Sequence, residues 1–104
     1  MLSVTHFRSD DPGFAARAAE VLRLLATRVG YRSGSLARSA DDAAAWVLVT
    51  RWSDAGSYRR AFGADIRMLA VPLYAASLDV PSAFEPMIDI APDGTVTEHT
   101  SDRA

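Results

Sequence analysis

The stretch that decides the fold is residues 29–58, VGYRSGSLARSADDAAAWVLVTRWSDAGSY. It predicts the end of a helix at Gly30, a strand over Tyr31–Arg38, a turn over 39–42 and a second strand over 46–52. The strand over 46–52 is apolar on both faces, so both faces must be covered. One layer of helices covers a single face. The other face requires a cavity, a partner subunit or both.

Composition limits the classes of protein to which the chain can belong. It has 104 residues, of which 49% are hydrophobic and 23% are charged, as in one ordinary globular domain. The net charge of −2 gives no indication of nucleic-acid binding, and the lack of cysteine excludes thiol catalysis and thiolate metal sites. No run approaches the roughly 20 apolar residues that cross a bilayer, and no signal-peptide pattern is present. We therefore expect a cytoplasmic protein with no membrane partner.

The chain before the deciding stretch predicts one strand and one helix. Residues 1–8 alternate loosely between polar and apolar side chains, as a first strand does. Asp11 is predicted as the N-cap of the helix, with Pro12 at its first position. From Phe14 onward the apolar residues recur at helical spacing until Gly30, where we expect the helix to stop.

The chain after the deciding stretch predicts a short helix and a last strand. The helix runs from Ser53 or Asp54 to about Phe62, and one or two further helical turns are expected over residues 65–71. Pro72 is predicted to restart the chain. The last strand is predicted over 82–90, and we expect it at a sheet edge because Pro86 cannot donate to a ladder. A turn over 92–94 and a polar, mobile tail end the chain.

The resulting order is β-α-β-β-α-β, which is the ferredoxin-like arrangement of the α+β class. It predicts a four-stranded antiparallel sheet with helices on one face, the first and third strands being central. We expect one domain over residues 1–90 and a polar C-terminal tail over 91–104. The doubly apolar third strand suits a central position, and the proline-bearing last strand suits an edge.

Four segments carry a family resemblance. They are GYRSG at 30–34, VLVTRW at 47–52, the helix that begins at Ser53 and carries Tyr58, and the Pro-Leu pair at 72–73. Together they resemble the antibiotic biosynthesis monooxygenase family, a branch of the dimeric α/β-barrel superfamily. The resemblance extends from the first strand to the last predicted strand. It implies a homodimer in which two copies pack sheet against sheet into a dimeric α/β barrel.

The resemblance also implies a type of chemistry. Some members of the family oxidise polycyclic aromatic phenols to quinones with O₂ and with no metal or flavin. In that type a strand-end tryptophan and a tyrosine six residues later line the pocket, and Trp52 and Tyr58 match this spacing. The asparagine expected four residues before the tryptophan is Leu48 here, which removes a group that would orient a substrate. Haem-degrading relatives carry a histidine where this chain has Phe62, so haem cleavage is not expected.

The candidate site follows from these matches. We expect Trp52 and Tyr58 to donate polar hydrogens to the substrate, because buried Trp N–H and Tyr O–H groups seek partners. His6, near the end of the first strand, is the candidate proton shuttle. A structural alternative remains open for all three, as core aromatics with satisfied polar tips and an ordinary strand histidine. The expected substrate-binding residues are Trp46, Leu48, Phe62 and Tyr74.

Two functions remain in competition at this point. The first is a cofactor-independent monooxygenase acting on an aromatic or polyketide-like small molecule. The second is a non-catalytic dimer that binds a small ligand or has a structural role, and the apolar residues at Leu48 and Phe62 favour it. No cofactor is expected. No metal is expected either, because His6 and His99 are far apart in sequence and have no carboxylate cluster near them.

Overall fold

Strands and helices alternate in the order that the sequence predicts as far as the second helix. The computed structural model describes residues 1–101. The elements are β1 (Leu2–Arg8), α1 (Phe14–Leu25), β2 (Tyr31–Arg38), β3 (Ala45–Trp52), α2 (Ala55–Ala61), α3 (Ala64–Tyr74), β4 (Ala83–Phe84), β5 (Ile88–Ile90) and β6 (Val96–Glu98).

The main sheet has four antiparallel strands in the order β2-β3-β1-β4. The first and third strands are therefore central, and the ferredoxin-like prediction of an α+β fold is confirmed. β1 and β3 pair along their whole length, from Leu2 opposite Arg51 to Arg8 opposite Ala45. β2 pairs with the other edge of β3, from Tyr31 opposite Trp52 to Arg38 opposite Trp46, so the backbone groups of the doubly apolar strand are satisfied on both of its edges.

The register decides which side chains face the helices. Thr5 lies opposite Leu48 and Ser3 lies opposite Thr50, and all four side chains are buried on the helix face. Successive strand residues point to opposite faces, so Val4, His6, Val47 and Val49 belong to the other face. We call that second surface the outer face. No helix among residues 1–101 packs on the outer face, because the buried side chains of α1 and α3 belong to the core on the opposite side of the sheet.

Aromatic rings form much of the core. Every aromatic side chain except Phe84 belongs to one continuous series of ring contacts with centroids 5.3 to 6.2 Å apart. We call this series the aromatic chain. It runs in the order Tyr31, Trp52, Tyr58, Phe62, Tyr74, Phe7, Phe14 and Trp46. Edge-to-face contacts of this kind add to the stabilisation that the buried ring area provides.

The first helix differs from its prediction at both ends. It begins at Phe14 with Gly13 as its N-cap, and Asp11 is not the cap. The carboxylate of Asp11 instead accepts a hydrogen bond from the Gly13 amide at 2.8 Å, because an aspartate two residues before an amide closes a local turn. The helix ends at Leu25, and Gly30 lies in the following turn with a φ of +88°. Gly30 therefore orients the entry into β2.

The prediction of a chain break at Pro72 is wrong. α3 is one continuous helix through Pro72, which lies in its last turn. Pro72 has no amide hydrogen to donate to the carbonyl four residues back, and its ring crowds that carbonyl, so the proline itself destabilises α3. Ile66, Ala70 and Leu73 are buried at helical spacing on one side of α3, and this burial stabilises the helix across the proline.

The predicted extent of the last strand, residues 82–90, is wrong. Only Ala83–Phe84 pairs with β1 at the sheet edge, and Ile88–Ile90 pairs with Val96–Glu98 in a separate hairpin. Pro86 lies between β4 and β5 and interrupts the ladder of backbone hydrogen bonds, since proline has no amide hydrogen to donate. The turn over 92–94 is confirmed, with Gly94 at a φ of +88°. The predicted polar tail thus contains a paired strand, and its residues 102–104 lie outside the described part of the chain.

Candidate functional site

A cleft of about 450 Å³ opens between the helix face of the sheet and α3. This volume lies within the roughly 300–1,000 Å³ typical of small-molecule sites. β1 contributes Thr5 to its floor, and the segment after α3 closes one side. The lining residues are Thr5, Tyr58, Phe62, Arg67, Ala70, Val71, Tyr74, Ser77, Leu78, Val80 and Ser82.

Tyr58 presents a phenol to this cleft from α2. Asp54 caps that helix by accepting a hydrogen bond from the Ser57 amide at 2.7 Å, which fixes the turn that carries Tyr58. The hydroxyl of Ser3 donates to the Tyr58 hydroxyl oxygen at 3.3 Å. Because Tyr58 accepts from the protein, its own O–H hydrogen is free to point towards a ligand.

Tyr74 presents a second phenol from the last turn of α3. Burial raises the pKa of this phenol above its ordinary value of 10.0, and the neighbouring Tyr58 phenol adds to the rise. A hydrogen bond with the Thr5 hydroxyl opposes the rise in pKa. The Tyr74 side chain therefore stays protonated at physiological pH and keeps an O–H donor in the cleft.

The two phenols lie on either side of Phe62. The ring centroids of Tyr58 and Phe62 are 5.3 Å apart, and those of Phe62 and Tyr74 are 6.2 Å apart, all edge to face. This arrangement gives an aromatic wall with a hydroxyl group at each end. Such a wall can contact a flat aromatic ligand and hydrogen-bond to its oxygen substituents.

Trp52 lies directly behind this wall. Only 2% of Trp52 is exposed, and its ring contacts Tyr58 with centroids 5.9 Å apart. Its indole Nε1 donates to Thr50 Oγ1 at 2.8 Å, so the polar hydrogen that we expected to reach a substrate is bonded within the protein. In this structure Trp52 supports the position of Tyr58 and does not line the cleft.

The remaining predicted residues do not all reach the cleft. Phe62 and Tyr74 line the cleft, whereas Leu48 is buried beneath it at 2% exposure. His6 and Trp46 instead line a smaller, neighbouring hollow of about 260 Å³, which shares Leu78 with the cleft. His6 is exposed on the outer face, so within one subunit it does not meet Tyr58 or Tyr74.

Sequence reasoning missed Thr5 and Arg67 as members of the site. Thr5 shares the inward face of β1 with Ser3 and Phe7. The signal available in the sequence was the alternation itself, which places both hydroxyl residues on the same face as Phe7. Arg67 was missed because the region around it was expected to form only one or two helical turns. The helical spacing of Arg67, Val71 and Tyr74 becomes visible only when α3 is continuous.

Within residues 1–101, no group of three or more histidine, cysteine, aspartate or glutamate side chains is placed to hold a metal ion. In the same range, no helix has the length and apolar character that crossing a bilayer demands.

The fold matches solved structures at low sequence identity. SnoaB from Streptomyces nogalater, a cofactor-independent oxygenase, aligns over 99% of this chain and 93% of its own with a TM-score of 0.68 and 20% identity. A protein from Chloroflexus aurantiacus that is named after the antibiotic biosynthesis monooxygenases aligns over 99% and 95% with a TM-score of 0.60 and 10% identity. Rv0793 from Mycobacterium tuberculosis aligns over 99% and 97% with a TM-score of 0.61 and 18% identity.

No protein-family model and no curated protein matches the chain. The likeness to the solved structures confirms the fold that the resemblance in the sequence predicts, which is the fold of the antibiotic biosynthesis monooxygenases.

Proposed function

We propose that this protein is a cytoplasmic, cofactor-independent monooxygenase that acts on a small aromatic molecule and works as a homodimer. The observation that carries the proposal is the aromatic wall of Tyr58, Phe62 and Tyr74 with a hydroxyl group at each end. The fold shared with SnoaB, a cofactor-independent oxygenase, supports the same class of reaction.

The reaction needs a substrate that can itself donate electrons to O₂. A phenol or anthrone meets this need, because loss of a proton gives an electron-rich anion. Oxygen adds to the ring carbon, one oxygen atom stays as the new carbonyl, and the other leaves as water. The neutral O–H of Tyr74 would hydrogen-bond the developing oxyanion, and such donors stabilise charge well in a site that excludes water. Within one subunit water would carry the proton, since His6 lies on the outer face.

The homodimer is supported by the outer face. Val4, Val47 and Val49 lie together there, only half-buried, at the centre of the sheet. Phe84 at the sheet edge is 43% exposed. A second copy packed sheet against sheet would remove this apolar surface from water, which is the favourable term in most subunit associations.

A non-catalytic ligand-binding dimer is the second candidate. Leu48 and Phe62 stand where oxygenating and haem-degrading relatives are expected to carry polar side chains. The indole N–H of Trp52 is already hydrogen-bonded to Thr50. These observations reduce the number of polar groups available for chemistry, while the cleft retains the shape and lining of a binding site.

The deciding experiment is an oxidation assay without added cofactor. The purified protein, dialysed against a chelator, is incubated with anthrone in air-saturated buffer, and O₂ uptake and quinone formation are recorded. We expect turnover above the buffer rate, reduced in the Tyr74→Phe variant. Anthrone binding without turnover would favour the second candidate, and the absence of both would contradict the proposal.

A further inference from the structure

Of the residues that the structure describes, Arg67 is the one with a charged side chain that lines the cleft. It precedes Val71 by four residues and Tyr74 by seven, so these three side chains lie along one stripe of α3. At 1.5 Å per residue, the two ends of this stripe are about 10 Å apart along the helix axis. The cleft therefore has a guanidinium at one end and a neutral phenol at the other.

Among residues 1–101, no carboxylate pairs with the positive charge of Arg67. Asp65, two residues earlier, is bound to Arg28 at 2.7 Å. The other ion pairs of residues 1–101 join Arg8 to Asp42, Arg17 to Asp11 and His99 to Asp89. No aspartate or glutamate within the described part of the chain lines the cleft. An anion in the cleft would thus meet one cation and no repelling carboxylate.

From this geometry we infer that Arg67 selects aromatic ligands that carry a carboxylate. The guanidinium presents two parallel N–H groups that match a carboxylate, which gives direction as well as attraction. The ring system would lie against Phe62, and a phenolic oxygen at its far end would meet Tyr74. The inference deepens the proposed function, because it assumes that this cleft is the substrate site.

The test uses a pair of probes with the same ring system and different charge. 6-Hydroxy-2-naphthoic acid has a phenol and a carboxylate at opposite ends of a fused ring, and its methyl ester has one more methyl group and no charge. Binding to the full chain is measured by calorimetry. We expect the acid to bind the wild-type protein up to about fivefold more tightly than the ester, the upper value for one exposed ion pair. Added salt should reduce this preference.

Three variants separate the role of Arg67 from general charge effects. Arg67→Gln should bind the acid and the ester equally, while Arg67→Lys keeps the charge and should keep a reduced preference. Arg59→Gln removes an exposed arginine of α2 that does not line the cleft, and it should behave as the wild type does. Because Arg67 is exposed, all three variants are expected to fold, and circular dichroism checks this.

The outcomes distinguish this inference from the proposed function. Equal affinities in the wild type, no binding of either probe, or a preference that survives in Arg67→Gln would overturn the inference. A preference that disappears equally in Arg59→Gln would overturn it as well. If the acid preference depends on Arg67 while no probe or anthrone is oxidised, the inference stands and the proposed oxygenase activity falls.

Discussion

The indole nitrogen of Trp52 donates a hydrogen bond of 2.8 Å to the side-chain oxygen of Thr50, two residues earlier on the same buried face of β3. The bond satisfies both polar groups in a place where water has little access. It also sets the indole plane against which the Tyr58 ring packs. The contribution of Trp52 to the site is therefore to position its neighbour.

Replacing Thr50 by valine tests this relationship. Valine has nearly the same shape but no acceptor, so the indole N–H is left buried and unpaired. We expect the Thr50→Val variant to lose about 1–3 kcal/mol of unfolding free energy in urea titrations. The same change in a Trp52→Phe background should cost clearly less, because no donor is then stranded. Equal costs in both backgrounds would show that the hydrogen bond is not the cause.

Removing the Tyr58 hydroxyl should reduce activity more than stability. Tyr58→Phe keeps the ring contacts with Trp52 and Phe62 but loses the oxygen to which Ser3 donates. We expect quinone formation to fall about tenfold or more, as when one donor is removed from a reacting oxygen. Tyr31→Phe is the matched control, since its ring also contacts Trp52 but does not line the cleft. Equal rates in the two variants would argue against a role for Tyr58.

The raised pKa of the Tyr74 phenol predicts a loss of stability at alkaline pH. Above about pH 10.0, the ordinary tyrosine pKa, the unfolded chain releases a proton that the folded protein retains. The stabilisation from this residue is therefore complete below that pH and declines as pH rises further. In urea titrations, the unfolding free energy of the Tyr74→Phe variant should decline less than that of the wild type as the pH rises above 10.0. A decline of the same slope in both proteins would contradict the prediction.

Two glycines with the same backbone angle allow steric crowding to be measured separately from backbone strain. Gly30 and Gly94 both have a φ of +88°. A Cβ atom on Gly30 would lie 2.4 Å from the Ser57 side chain, whereas one on Gly94 would meet nothing within 4 Å. Gly94→Ala should cost about 1–2 kcal/mol from the left-handed backbone alone. Gly30→Ala should cost more, and equal losses in thermal unfolding would refute the close approach to α2.

The proposed dimer predicts that a charge on the outer face separates the subunits. Val49→Lys places an ammonium group in the centre of the surface that a second copy would cover, where burial of an unpaired charge is strongly unfavourable. We expect a dimer for the wild type and a monomer for Val49→Lys in sedimentation experiments. Ala16→Lys, on the exposed side of α1, carries the same charge and should remain dimeric. A monomeric wild type would remove the basis for the dimer.

The helices and strands that could be predicted were those in which the spacing of apolar residues agrees with the side chains that are buried in the fold. β3 and its central position followed from apolar residues on both faces, and α1 followed from helical spacing of its buried side chains. The helical turns over 65–71 were predicted, but the continuation of α3 through Pro72 was not, because the penalty of the proline is local, whereas the burial that outweighs it arises only in the folded chain. β4 and β5 were joined in the prediction because nothing in residues 82–90 reveals that β6 competes for β5.

The candidate site was predicted to a similar degree. Tyr58, Phe62 and Tyr74, three of the residues expected at the site, all line the cleft, and their role there stays a prediction. The displacement of His6 to the outer face could not be foreseen, because alternation along β1 shows which residues share a face but not which face meets the helices. That choice depends on the register with β3, which only the folded structure gives.

The aromatic chain gives the protein an optical reporter of its own. Tyrosine passes its excitation to a nearby tryptophan, and Trp52 lies within ring contact of both Tyr31 and Tyr58. A molecule that enters the cleft and disturbs Tyr58 would therefore alter the emission of Trp52 without touching it. Trp46 ends the series beside Arg38, at the opposite end of β3 from Trp52, and replacing it by phenylalanine would leave Trp52 as the single indole emitter.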